Sequence, residues 1–111
     1  MASISTHVLD TSLGRPAAGV AVALERVEGE RAQQIGAGKT DGDGRVRDLA
    51  GGATLSAGRY RIRFATGEYL AAAGRAAFFP EVTIDFEVAA EGHYHVPLLL
   101  SPFGYSTYRG S

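Results

Sequence analysis

Two histidines one residue apart, His93 and His95, open the closing nineteen-residue segment HYHVPLLLSPFGYSTYRGS. The same segment carries the Ser101-Pro102 turn, the tyrosines Tyr94, Tyr105 and Tyr108, and Arg109 ahead of Gly110-Ser111. Chain ends ordinarily fray and hold little information. One so rich in proton-carrying and charged groups is expected to be part of a site. A His-x-His pair can aim two imidazoles at a metal from one strand face. With no partnering carboxylate or Cys in the pattern, no metal is expected. Asp41-Gly42-Asp43-Gly44 resembles the start of a calcium loop, yet the Glu that would end a twelve-residue loop is missing, so a hairpin turn is expected instead. Ser101 and Ser106 lack a nucleophile-elbow context, which argues against a serine-hydrolase triad. The chain has no cysteine, so thiolate nucleophiles, disulfides and Cys-ligated metals are excluded. Taken singly, His7, His95 and Arg45 read as ordinary surface groups.

The elements that would position these residues alternate with period two. Val20, Val22 and Leu24 alternate with Ala21, Ala23 and Glu25; Tyr60, Ile62 and Phe64 with Arg59, Arg61 and Arg63; Val82, Ile84, Phe86 and Val88 with Thr83, Asp85 and Glu87. Each run predicts a strand with one buried and one wet face, the pattern of antiparallel sheets. Further strands are expected at Ile4–Asp10, Ala32–Lys39, Arg45–Leu49, His93–Ser101 and Tyr105–Gly110. Turn residues at 11–16 and 41–44 separate them. Only 66–74 breaks the alternation: Thr66 as cap, three alanines and Gly74 as terminator predict a short helix. The fold class is therefore all-β, a sandwich of about eight strands with one short helix. Phase also assigns faces. Tyr94, Val96, Leu98 and Leu100 point into the core, while His93, His95, Pro97 and Leu99 point out. His7 and Leu9 share that outer face, as do Ser106, Tyr108 and Gly110 in the last strand. A face bearing Leu9, Pro97 and Leu99 is too apolar to stay solvated, so a partner is expected to cover it.

At 111 residues the chain is expected to form a single domain, 1–111. Hydrophobic residues make up 45% and charged residues 21%, ordinary for a soluble globular protein. A net charge of -1 provides no basic field for nucleic acid and no polybasic patch for a membrane surface. The start of the chain lacks the basic and apolar regions of a signal peptide, and no apolar run approaches a membrane span. A cytoplasmic location is expected.

Together, Ser5-Thr6-His7-Val8-Leu9-Asp10, Thr40-Asp41-Gly42-Asp43-Gly44-Arg45 and the closing Tyr108-Arg109-Gly110-Ser111 resemble the transthyretin-like family. More narrowly they resemble its enzymatic branch, the 5-hydroxyisourate hydrolases of urate catabolism. The likeness spans essentially the whole chain, including Phe78-Phe79-Pro80-Glu81. The terminal tetrapeptide is the branch's most specific mark. The resemblance implies a transthyretin-like sandwich assembling as a homotetramer, a dimer of dimers, whose channel is lined by the outer sheet face described above. It implies a catalytic set of His7, Arg45, His95 and Ser111, with His7, Arg45, Tyr108, Arg109 and Gly110 holding substrate and with neither metal nor cofactor. Strand phase and resemblance select His95 over Tyr94 by separate routes. Phase alone does not exclude His93, but the resemblance gives it no role, so His93→Ala is expected to stay near wild type.

The implied reaction opens the ring of 5-hydroxyisourate at an amide-type carbonyl, giving 2-oxo-4-hydroxy-4-carboxy-5-ureidoimidazoline. Water suffices as nucleophile if a base takes its proton and a cation holds the developing oxyanion. Histidine, with a reference pKa of about 6.5, suits the first task. The planar fork of Arg45 suits the second. His7 and His95 share water activation without either being singled out. The competing reading is a transthyretin-type carrier of a small hydrophobic ligand, against which two histidines and an arginine make the channel polar. A purely structural sandwich module would need neither the paired histidines nor the tail.

Overall fold

The computed structural model describes residues 2–89 and 91–111. Its elements in order are β1 (Ala2–Asp10), β2 (Arg15–Pro16), β3 (Ala21–Glu28), β4 (Arg31–Lys39), β5 (Arg45–Val46), β6 (Gly58–Phe64), α1 (Thr66–Ala72), β7 (Val82–Val88), β8 (Gly92–Ser101) and β9 (Gly104–Thr107). One sheet runs β2-β1-β8-β9 with β5 also paired to β1; the other runs β4-β3-β6-β7. Alternate residues of both fill the space between them. Ile4, Val8, Tyr94, Val96, Leu98 and Leu100 come from the first sheet, and Val22, Leu24, Tyr60, Ile62, Phe64 and Val82 from the second, all buried. For these core residues the period-two reading of faces holds, although Pro97, expected to lie open on the outer face, is buried. Among the described residues no helix is long and apolar enough to cross a membrane.

Three expectations change. The central pair of the first sheet, β1 with β8, is parallel, running from Ala2↔Gly92 to Asp10↔Leu100. Alternation reports which face is wet, not the direction of the neighbour. These two strands sit at opposite ends of the sequence with the whole second sheet between them, so no tight hairpin dictates an antiparallel pair. Thr66 does not cap the helix: Ala65 holds that place, with no side-chain capping bond, and the buried Thr66 hydroxyl donates to the Phe79 carbonyl at 3.3 Å. Two strands are also shorter than expected. After Val46 the chain leaves β1, touching it again where Leu49 N–H donates to the Ile4 carbonyl. β9 ends at Thr107, although its register with β8 resumes at an isolated bridge, His95↔Gly110. Pro97 faces this gap and has no N–H to give the ladder. The helix does end as expected: Gly74 has a φ of 69°, with Gly74 N–H on Ala71 O and Arg75 N–H on Leu70 O.

Charged pairs organise the surfaces. On the wet face of the second sheet Arg61 grips Asp85 with two bonds of 2.6 and 3.1 Å, and Arg63 joins Glu25 and Glu81. Arg61 and Arg63 of the alternating arginines are thus ion-paired across the sheet. Asp10, fully buried at the end of β1, accepts from Arg75 (2.6 Å), Tyr69 (2.8 Å) and Ser12 (2.7 Å). Through that carboxylate the helix and the chain following it are tied to the sheet that carries the histidines.

Candidate active site

The parallel register of β1 and β8 builds the site as a ladder on the outer face: Ser3 beside His93, Ser5 beside His95, His7 beside Pro97 and Leu9 beside Leu99. From the other side, β5 sets Arg45 opposite His7 and Val46 opposite Thr6. The turn before Arg45 is held by Asp41, whose Oδ1 accepts from the backbone N–H of Asp43 (2.9 Å) and of Arg45 (3.0 Å). Those bonds, the Arg45 one first, hold the Asp41 carboxyl below its ordinary range. Gly44 has a φ of 74°, and a Cβ there would lie 2.5 Å from the Val8 carbonyl oxygen. Only glycine lets the turn approach β1 closely enough for Val8 N–H to bond Gly44 O at 2.7 Å, which fixes where Arg45 emerges.

The chain end arrives from the far side of β8. After the turn at 102–103, β9 returns antiparallel, and Gly110 N–H donates to the His95 carbonyl at 2.8 Å. Gly110 lies so close to the imidazole that an added Cβ would sit 2.5 Å from His95 Cδ2. The result is a hollow of about 240 Å³ lined by Ser5, Thr6, Arg45, Val46, Arg47, His93, His95 and Ser111. His95 is only partly exposed, and its Nδ1 lies 2.7 Å from Ser5 Oγ. Burial first, then the charge of Arg45 and the neighbouring His93 and His7, push its pKa below the ordinary histidine value. Near neutrality this imidazole is therefore a free base beside a cation, the pairing that water-dependent opening of a carbonyl requires.

Of the residues singled out in the sequence, the hollow brings together Arg45, His95 and Ser111. Gly110 is the close backbone packing against His95. His7 stands at the flank, in register with Arg45 and Pro97, and does not line this hollow. Tyr108 and Arg109 border a second hollow with Tyr94, Val96 and Phe86. There the Arg109 guanidinium lies over the Tyr94 ring at 4.6 Å, while Tyr108 is 57% exposed. Sequence reasoning missed Ser5, Arg47 and the part played by His93. Ser5 and His93 shared the outer phase with His7 and His95, so the face was legible. Their adjacency was not, because it arises from pairing across nearly the whole chain.

A two-sheet sandwich whose outer face combines imidazoles, a turn-held arginine and the chain terminus defines a transthyretin-like protein with a polar site. The chain belongs to the HIUase/Transthyretin family, whose model matches residues 4–110. It is 47% identical to a 5-hydroxyisourate hydrolase of Caulobacter vibrioides, over 100% of both chains. It is 48% identical to one of Mesorhizobium japonicum, covering 97% of this chain and 91% of that one. Among solved structures it resembles the Klebsiella pneumoniae 5-hydroxyisourate hydrolase (43% identity, all of both chains, TM-score 0.90). It also resembles sea bream transthyretin in complex with thyroxine (32% identity, 97% of this chain and 94% of that one, TM-score 0.90).

Proposed function

We propose that this chain hydrolyses 5-hydroxyisourate in urate catabolism, opening the ring to 2-oxo-4-hydroxy-4-carboxy-5-ureidoimidazoline with neither metal nor cofactor. The observation that carries the reading is the convergence of Arg45, His95 and Ser111 on one hollow. In this reading His7, Arg45, His95 and Ser111 form the catalytic set, and the terminal segment of Tyr108, Arg109 and Gly110 binds substrate. Gly110 does so against His95, and Tyr108 and Arg109 from the neighbouring hollow they border. A water held in the hollow gives its proton to histidine as it attacks the carbonyl carbon. Arg45 stabilises the oxyanion, and collapse of the adduct breaks the ring C–N bond as a proton returns to the leaving nitrogen. Full-length relatives named as 5-hydroxyisourate hydrolases support the same activity. A carrier role is disfavoured because the hollow is lined largely by serine, histidine and arginine rather than by apolar side chains. The test is to generate fresh substrate with urate oxidase in situ and follow its ultraviolet decay; decay at the uncatalysed rate would refute the assignment.

The working unit of this reading is one domain, 1–111, in a cytoplasmic homotetramer, a dimer of dimers joined through the histidine-bearing face. Leu9 and Leu99 remain partly exposed beside one another on that face, which supports its being covered by another subunit. Light scattering on the purified protein should give a tetramer, and an active monomer would contradict a site completed by a shared channel.

A further inference from the structure

Four side chains on the outer face form a continuous hydrogen-bonded line. Ser3 Oγ lies 2.7 Å from His93 Nδ1, His93 Nε2 lies 2.7 Å from Ser5 Oγ, and Ser5 Oγ lies 2.7 Å from His95 Nδ1. The two rings stack at 6.5 Å with 19° between their planes. His93 is exposed, whereas Ser5 is buried between the rings. A hydroxyl has one proton to donate, and a neutral imidazole has one N–H and one bare nitrogen. Ser5 touches two imidazoles and can donate to only one of them, so at least one ring must donate its N–H to Ser5 Oγ. The protonation of His93 and His95 is thereby linked.

For His95 to take a proton from water at Nε2, its own proton must be on Nδ1 and donated to Ser5 Oγ. Ser5 must then donate to His93 Nε2, which puts the His93 proton on Nδ1, facing Ser3. All four groups satisfy this arrangement at once. We infer that Ser5 and His93 are positioning residues that hold His95 with a bare Nε2 toward the hollow and conduct its proton to solvent. As Nε2 gains a proton from water, the Nδ1 proton passes to Ser5, the Ser5 hydroxyl proton to His93 Nε2, the His93 Nδ1 proton to Ser3, and the Ser3 proton to solvent. Every group ends neutral, and His95 now presents an N–H that can protonate the leaving nitrogen. As it does so the line runs in reverse, a solvent proton entering at Ser3 and the Ser5 proton restoring Nδ1–H on His95. This selects His95 rather than His7 as the base, and departs from the expectation that His93 is dispensable. It rests on the hydrolase reading above.

The chain has three histidines, so ¹⁵N-histidine labelling with single-histidine variants assigns every imidazole signal. Above the imidazole titration range the wild type should show His95 and His93 as Nδ1–H tautomers. Ser5→Ala should return His95 to the Nε2–H form that free histidine prefers in water. In turnover, Ser5→Ala and His93→Phe should lower kcat roughly 10- to 100-fold with KM little changed, and His93→Gln should recover part of the loss. His93 is exposed, so its variants test the line even if Ser5→Ala folds poorly. An Nε2–H tautomer at His95 in the wild type, or wild-type kcat in His93→Phe, would overturn the inference. The predicted tautomers in a protein that leaves 5-hydroxyisourate untouched would instead refute the assigned reaction.

Discussion

Replacing Gly110 by Ala adds a single methyl group, and the structure dictates where it must go. Its Cβ would stand 2.5 Å from His95 Cδ2, 3.2 Å from Cγ and 3.4 Å from Cβ of the same residue. Gly110 is not among the glycines of positive φ, so alanine is compatible with its backbone and the clash alone is tested. Restoring ordinary contact at Cδ2 requires a shift of about 1 Å, by the imidazole or by the terminal strand. A displacement of that size at a reacting group can cost about 100-fold in rate. If the strand yields, it gives up the Gly110–His95 backbone bond, about 1 kcal/mol, and the Arg109–Tyr94 contact, about 0.5–1 kcal/mol. Together these amount to about 2 kcal/mol at most, so the fold survives with a modestly lower Tm. The assay is ultraviolet decay of fresh 5-hydroxyisourate beside thermal melting. Gly104→Ala is the control, since a Cβ there meets only Ser101 Oγ, at 3.7 Å. Full activity in Gly110→Ala, or equal loss in Gly104→Ala, would refute the dependence of the site on the terminal strand.

His7→Ala and His95→Ala should each reduce kcat/KM about 100-fold or more, with the double variant little worse than the poorer single one, as steady-state kinetics would show. Arg45→Ala should raise the barrier by about 3–4 kcal/mol and Arg45→Lys should restore only part, because the planar fork is lost. Arg47 lines the same hollow, so Arg59 on the opposite sheet is the cleaner control for those assays. Asp10→Ala should lower Tm strongly by leaving Arg75 and Tyr69 without their shared acceptor. The Arg75 bond first, with those from Ser12 and Tyr69, holds the folded Asp10 carboxyl far below its unfolded pKa of about 4. Its stabilisation is therefore complete above pH about 4 and fades as pH falls from there toward the folded value. Acid melting of the wild type should steepen in that window, and the steepening should shrink in Asp10→Asn.

The sequence by itself determined which residues face water and which face the core, because side-chain direction along a strand is local and alternates with period two. It also determined the helix after β6, the Gly74 stop and the Asp41–Gly44 turn, each written in residues a few positions apart. The terminal Tyr108-Arg109-Gly110-Ser111 pointed to the right family. Only the tertiary structure decided who stands beside whom. Parallel pairing of β1 with β8 joins Ser5 to His93 and His95 across most of the chain, and the bridge of Gly110 to His95 depends on the register beyond Pro97. Thr66 had the chemistry of a cap yet was drawn into the interior to bond Phe79. Local signals fix the phase of a strand. Its neighbour, direction and register come from burying two whole sheets against each other, and the proton line from Ser3 to His95 exists only once that burial is complete.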